Sequence, residues 1–352
     1  MIYKYKNLNN YIFFILLLTV ISFQNCVGYL SHLAVGQSKI IFNRKKISEV
    51  ITLSTDEKLQ MKLRSVSKAR EFAISNLYLS PKGGYEYFTQ LDREEIGWHV
   101  TASYPLKFES YTWWFPIIGS VPYKGYFDLE KAKEEENILI EKGLDTRLRV
   151  TSGYSTLGWF SDPLLSPQLK LREDELIALV FHEMAHSTIY FNGDSNFNES
   201  YASFVEEIGT KLYYTSLDEN GSKNILSIRE KARVERKFII DLIKYYGEKL
   251  KSLYNTELDD TIKVQEKKLI IEEFRKEILE KTSNFEVIKT ANYSKAKINN
   301  ETFLGALRYN SGETFFNSLY LKVNKDMEKF HEEVRKLTNL SKEERQKLLL
   351  NQ

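Results

Sequence analysis

Val180–Ser187 reads VFHEMAHS, with His182 and His186 four residues apart and Glu183 beside the first. On a helix of about 3.6 residues per turn this spacing stacks both imidazoles on one face, one turn apart. That is the arrangement two ligands of one zinc ion require. The segment around it supports a helix over residues 171–191, because Leu171, Leu176, Leu179, Val180 and Met184 recur at helical spacing. Only five histidines occur in the whole chain, so two of them in this register, with a carboxylate next to the first, are poorly explained by chance. Glu183 is placed to take a proton from a water held at the metal and to pass it to a leaving amine.

A catalytic zinc takes a third protein ligand and keeps one position open. The candidates lie in Asn198–Gly209 (NESYASFVEEIG), read as a second helix running from about 198 to 216. A loop at Asn192–Phe197 (NGDSNF), with its turn at Gly193-Asp194, lets that helix fold back on the first. Glu199 and Glu206 are seven residues apart and therefore share a face. Glu199 is the favoured ligand. Glu206 is the alternative ligand, or a carboxylate that orients one of the histidines from behind. Tyr201 and Phe204 point elsewhere and pack.

Working outward, residues 29–45 and 56–79 carry helical patterning, with Ser54-Thr55-Asp56 as capping side chains and Ser80-Pro81 as a stop. Residues 85–128 are rich in aromatic and β-branched side chains, and Ile96–Ser103 alternates as a strand does. Asp128–Lys142 reads as a charged helix ending at Gly143, followed by strands near 148–154 and 155–160. Gly153–Ser166 is a candidate edge strand for a peptide substrate to pair with. Within it Tyr154 could donate a hydroxyl to a developing oxyanion, or simply pack. From residue 222 the chain is mostly helical, with Lys- and Glu-rich faces that read as solvated surface.

Composition bounds the rest. At 42% hydrophobic and 28% charged residues the 352-residue chain can bury a large core. A net charge of +2 without a basic, aromatic-interleaved block argues against a nucleic-acid partner. The single cysteine, Cys26, excludes an internal disulfide framework and a cysteine-ligated zinc. Its position suggests a different use. Lys4 and Lys6 precede an apolar run of thirteen residues, Tyr11–Phe23, shorter than the about 20 residues that span a bilayer. The pattern fits a secretory signal over residues 1–25, with Cys26 as the acylated first residue of a bacterial lipoprotein. The residues before it, Phe23-Gln24-Asn25, are bulkier than the usual lipobox. An ordinary signal with a chance cysteine is the other reading. Acyl chains contribute about 0.8 kcal/mol per buried methylene to membrane binding.

Further segments carry a family resemblance: Gly36-Gln37, Trp98–Ala102, Trp113–Asp128, Tyr154–Leu165, Phe181–His186, Asn196–Glu206 and Asn299–Tyr309 (NNETFLGALRY). With these the chain resembles a bacterial family of predicted aminopeptidases, zinc peptidases often made as lipoproteins, over roughly residues 29 to 345. The Asn-Glu-aromatic-Ala run is similar to the glutamate-bearing helix of gluzincin-type peptidases. The resemblance implies one zinc ion on His182, His186 and Glu199, with Glu183 as base, and a peptide substrate. The patterning along the chain totals a helix-rich α+β fold without a clean linker, hence one catalytic domain, a zincin-like metallopeptidase core with N- and C-terminal helical extensions. The metallopeptidase domain would span 26–352, divided into 29–150, a zinc-binding core at 151–220 and a helical region at 221–352. The location would be the cell envelope, lipid-anchored to a membrane. Trp114 stands where a cysteine is usual and Ser187 where glutamine is frequent. The chain lacks the GxMEN segment with which well-studied zinc aminopeptidases grip a free N-terminus. Two other readings stay open: a non-catalytic envelope lipoprotein that retains the fold, and hydrolysis of a non-peptide amide.

Overall fold

The computed structural model describes residues 28–350 apart from 83, 116–118, 152–160, 218–219 and 308–311. Cys26 and Tyr154 therefore lie outside the described residues. Twelve α-helices and eight short strands occur among those described, a helix-rich α+β architecture. No described helix is long and apolar enough to cross a membrane.

Helix α1 spans residues 28–42. A two-residue strand, β1 (Lys45–Lys46), leads into α2 (Ile47–Leu53) and α3 (Glu57–Ser75). The expected single helix over 56–79 is thus shorter at its end: it closes at Ser75, before the Ser80-Pro81 stop. Asp56 caps its start as the sequence suggests, its carboxylate accepting from Lys58 N at 2.9 Å and Leu59 N at 3.1 Å. Leu63, Val66, Ala69 and Ala73 make the buried stripe of α3.

Strands β2 (Tyr87–Thr89) and β8 (Leu164–Leu165) join β1 in a small sheet of order β1-β2-β8. The second sheet, β6-β3-β7, positions one wall of the site described below; it is antiparallel throughout. Its central strand β3 (Trp98–Ser103) alternates in polarity but not in burial: Trp98, Val100 and Ala102 pack against Ala132 and Leu139 of α4 (Leu129–Glu141), and Thr101 and Ser103 on the other face are buried too, leaving only His99 partly exposed. Strands β6 (Lys124–Tyr126) and β7 (Asp145–Val150) flank it. Before β6, β4 (Trp113–Phe115) and β5 (Gly119–Val121) pair as a hairpin. Glu135 on α4 ties these strands together, accepting from Trp113 Nε1 at 2.8 Å, Lys124 Nζ at 2.8 Å and Tyr126 OH at 3.0 Å.

The central pair is α5 (Glu173–Thr188) and α6 (Ser195–Ser216). Helix α6 begins inside the stretch expected to be a loop. Asp194, fully buried just before it, accepts from Arg345 Nε at 2.8 Å and Gln346 Nε2 at 2.6 Å. Those partners arrive from α12 (Lys342–Leu350), some 150 residues away, so local sequence could not announce the helix start.

The C-terminal region is helical as expected. Helices α7 (Asn220–Tyr254), α8 (Asp260–Lys281) and α9 (Asn300–Leu307) share one apolar cluster around Tyr246, Phe274 and Phe303. Asn299 and Asn300 dock α9 on the sheet: Asn299 Nδ2 donates to Thr146 O at 2.9 Å, and Asn300 Nδ2 to Tyr104 O at 2.8 Å. Helices α10 (Glu313–Lys322) and α11 (Met327–Lys336) pack Phe316 and Phe330 against Tyr201 and Phe204 of α6, which are buried as expected.

His331 on α11 completes this core. The Tyr201 hydroxyl donates to its Nδ1 at 3.0 Å, and its Nε2–H donates to the Leu77 carbonyl at 2.8 Å. Burial lowers the imidazole pKa to about 4. An unfolded histidine titrates near about 6.5, so between these values the unfolded chain binds more protons than the folded one. Stability should therefore fall as pH drops from about 6.5 toward 4. Denaturant titrations across that range should show the fall, and His331→Gln should flatten it by up to about 1.4 kcal/mol per pH unit.

Candidate metal centre

Helix α5 buries Leu176, Ile177, Val180, Phe181 and Met184 in the main core. The face left over carries His182 and His186. Helix α6 crosses α5 closely because its contact face is small: Ala202 is fully buried, and a Cβ on Gly209 would come within 2.6 Å of Leu77 Cδ1 and 3.1 Å of Phe181. The turn between the helices is closed by Asn198, which accepts from Phe191 N and donates to Phe191 O, both at 2.8 Å. Gly193, at φ +73°, supplies the left-handed residue this reversal needs. The two-pronged Asn198 clamp sets the start of α6, and with it the direction of the next side chain, Glu199.

The result is a convergence of three donors. His182 Nε2 and His186 Nε2 are 3.2 Å apart. Glu199 reaches the first imidazole at 3.5 Å (Oε2) and the second at 3.7 Å (Oε1). Donors about 2.0–2.1 Å from a tetrahedral ion lie about 3.3 Å from one another. The three side chains thus stand close to the edge lengths of a zinc tetrahedron, and they form a group that could hold a metal ion. Two imidazoles and a carboxylate suit zinc chemically.

Glu206 meets the opposite side of His182: Oε2 lies 3.1 Å from Nδ1. Nδ1–H donates to that carboxylate and leaves the Nε2 lone pair for an ion. Glu199 and Glu206 share a helix face as expected, yet they address different nitrogens of one ring. Behind Glu206, Arg229 Nη2 stands 3.8 Å from its carboxylate and 3.7 Å from that of Glu207, and Arg229 Nη1 is 3.6 Å from Asp174. The region beyond residue 222 was expected to be plain solvated surface. Arg229, largely buried on α7, corrects that: it steadies the support of a candidate ligand. His186 has no such support: among the described residues its buried Nδ1 has no hydrogen-bond partner.

The electrostatics favour a cation. Burial alone would lower the pKa of His182, but Glu199, Glu206 and Glu183 hold it well above 6.5. Burial lowers His186 to about 4. Burial would raise Glu199 and Glu206, but the His182 contacts hold both below the usual glutamate range. A site this rich in carboxylate around two imidazoles attracts positive charge. Glu183, 8% exposed, lines the cleft beside His182. Buried Tyr85 lies behind it, its pKa raised by burial and by the Glu183 charge.

The centre opens on a cleft of about 1040 Å³. His182, Glu183, His186 and Glu199 line one side; Trp98, His99, Tyr123, Gly125, Arg149 and Val150 line the other. Tyr190 stands at the metal side, its ring 6.5 Å from that of His186. Burial and Glu199 raise the Tyr190 pKa, so it stays a protonated donor. Neither Tyr190 nor Arg229 carries a local sequence signal. Most of the candidate edge strand, residues 153–160, lies outside the described residues; of its remainder, Leu164 and Leu165 of β8 are fully buried.

A family model described as "Putative aminopeptidase" matches residues 28–349. The chain belongs to that family. No curated protein and no solved structure matches it. The match covers nearly the whole described chain, and so takes in both walls of the cleft as well as the helices around them.

Glu199→Gln should abolish tight zinc binding, whereas Glu206→Gln should weaken it by roughly 10–100-fold. Competition with a chromophoric chelator reads both. Equal loss in the two variants would mean that Glu206 is itself a ligand.

Proposed function

We propose that this chain is a zinc-dependent peptidase with a zincin-like core, working in the bacterial cell envelope on a lipid anchor at Cys26. The observation that carries the enzymatic reading is the convergence of His182 Nε2, His186 Nε2 and Glu199 at 3.2 to 3.7 Å, with Glu183 beside them at the edge of an open cleft. Membership of an aminopeptidase family supports a peptide as substrate. When bound, the ion supplies Lewis-acid chemistry, polarising a carbonyl and making a water acidic near neutral pH.

The side chains divide the remaining work. His182, His186 and Glu199 hold the ion, and Glu206 fixes the His182 tautomer through Nδ1. Glu183 accepts the proton of the attacking water and returns it to the nitrogen that leaves as the peptide bond breaks. Tyr190, protonated and beside the ligands, offers its O–H to the oxyanion of the tetrahedral state. The cleft wall across from the ion receives the peptide.

Glu183→Gln should keep its zinc, folded helicity and melting temperature while cleavage of a peptide library falls by roughly 10²–10⁴-fold. Equal cleavage by wild type and variant would overturn the mechanism. No cleavage by either, with zinc bound, would favour the scaffold reading, in which the site serves structure alone.

The anchoring proposal rests on the N-terminal pattern: Lys4 and Lys6, the apolar run Tyr11–Phe23, then Cys26. Cells fed labelled palmitate should incorporate it into the wild-type protein and not into Cys26→Ala. Equal labelling of the two would remove the lipid from this position.

A further inference from the structure

The β6-β3-β7 sheet contributes a row of three residues to the cleft of the metal centre. Gly125, His99 and Arg149 are cross-strand partners there, His99 pairing with Gly125 on one side and with Arg149 on the other. Partners opposite each other in antiparallel strands project from the same face. All three line the cleft that His182, Glu183, His186 and Glu199 also line. Gly125 brings no side chain. His99 lies against the Tyr123 ring at 5.0 Å, and burial holds it neutral, with its pKa lowered to about 4. The charge on this row is therefore that of Arg149 alone.

Arg149 is half-buried, and among the described residues no carboxylate stands within ion-pair distance of it and no acceptor takes its N–H groups. Its strand neighbour Arg147 repels it; Arg147 itself has Glu301 and the Tyr293 hydroxyl nearby. The other cation lining the cleft, Lys342, donates to the Gly193 carbonyl at 2.8 Å. The carboxylates lining the cleft have tasks elsewhere. Asp194 is bound to Arg345, Glu199 faces both imidazoles, and Glu183 lies beside His182, whose charge it favours. A guanidinium presents five donors in a planar fork that matches a carboxylate in two parallel hydrogen bonds. A half-exposed guanidinium with no protein partner among the described residues is free to exchange its water for such a carboxylate.

We propose that Arg149 receives a carboxylate of the peptide substrate across the cleft from the metal centre, so that the enzyme selects peptides bearing a negative charge on that side. The inference rests on the peptidase reading of the same site and names its substrate class. The carboxylate can be the C-terminal α-carboxylate or an Asp or Glu side chain; both offer the same two oxygens.

The test is binding to full-length, zinc-loaded protein carrying Glu183→Gln, which suppresses turnover, measured by calorimetry. Three acetylated hexapeptides of Ala, Gly and Leu serve as probes. One is amidated and neutral, one has a free C-terminal carboxylate, and one is amidated with a single internal Glu. One or both charged probes should bind at least about tenfold tighter than the neutral one, the size of one charge-assisted hydrogen bond. Which probe gains tells chain end from side chain. Arg149→Gln added to that background should erase the preference while zinc content and circular dichroism stay unchanged, and Arg149→Lys should keep part of it. Three probes binding alike, no measurable binding of any, or a preference that survives Arg149→Gln would overturn the proposal. Cleavage by wild-type protein is scored separately. Turnover without a charge preference sinks the Arg149 role alone, and a charge preference without turnover sinks the peptidase reading alone.

Discussion

The close crossing of α5 and α6 is the constraint on which the rest of the structure depends. Three donors from two helices meet at a spacing that could hold one ion, and a tetrahedral site tolerates only a few tenths of an ångström. The chain reaches this spacing with small residues at the contact, Ala202 and Gly209 above all, and with a turn held at both ends. Asn198 closes the turn on Phe191 from within. Asp194, paired with Arg345 and Gln346, closes it from the C-terminal helix. A buried ion pair adds little net stability over an apolar pair of the same size, but losing one partner is costly. Its use here is positional: it fixes where α6 begins, and Asn198 and Glu199 follow within the helix's first two turns.

Two glutamates on one helix face carry different tasks because His182 lies between them. Glu199 addresses Nε2 at 3.5 Å and Glu206 addresses Nδ1 at 3.1 Å. A neutral imidazole has one donor nitrogen and one acceptor nitrogen. The carboxylate at Nδ1 takes the donor side and so decides that the acceptor faces the ion. The chain extends outward from Glu206 through Arg229 to Asp174, which also pairs with Arg172 at 2.7 Å. Alternating charge of this kind lets several carboxylates crowd near the ligands without repelling one another out of place. His186, lacking a partner at Nδ1, depends instead on being 5% exposed and packed in place.

Local features were legible in the sequence where local physics decides them. The spacing of His182 and His186, the Asp56 cap and the end of α4 before Gly143 all depend on neighbours within a few residues. Glu199 and Glu206 could be found as a pair but not told apart, since helix periodicity gives the face and not the nitrogen each one meets. Arg229, Tyr190 and Arg149 were not legible. Arg229 sits in a Lys- and Glu-rich stretch that looks like surface, and its importance comes from the packing of α7 on α6. The start of α6 was misplaced by three residues for the same reason, because its partners lie on α12. The motif NNETFLGALRY resembled its family without any physical reason visible in the sequence. The structure supplies one, since Asn299 and Asn300 are the pins that hold α9 to β7 and to Tyr104, just past the end of β3.

Those pins bear on the cleft as well as on the fold. Asp145 starts β7 and accepts from Lys267 Nζ at 2.5 Å and Asn300 N at 3.0 Å, so the strand carrying Arg149 is fixed at its beginning by two C-terminal helices. The metal wall is fixed by α12 through Asp194. Both walls are thus braced by the region that reads in sequence as a mere extension. A cleft with a carboxylate-rich wall and a facing wall whose one charge is positive imposes a polarity on whatever lies between them. The C-terminal helices thereby fix both the strand that carries Arg149 and the start of the helix that carries Glu199, a role that no residue within them announces.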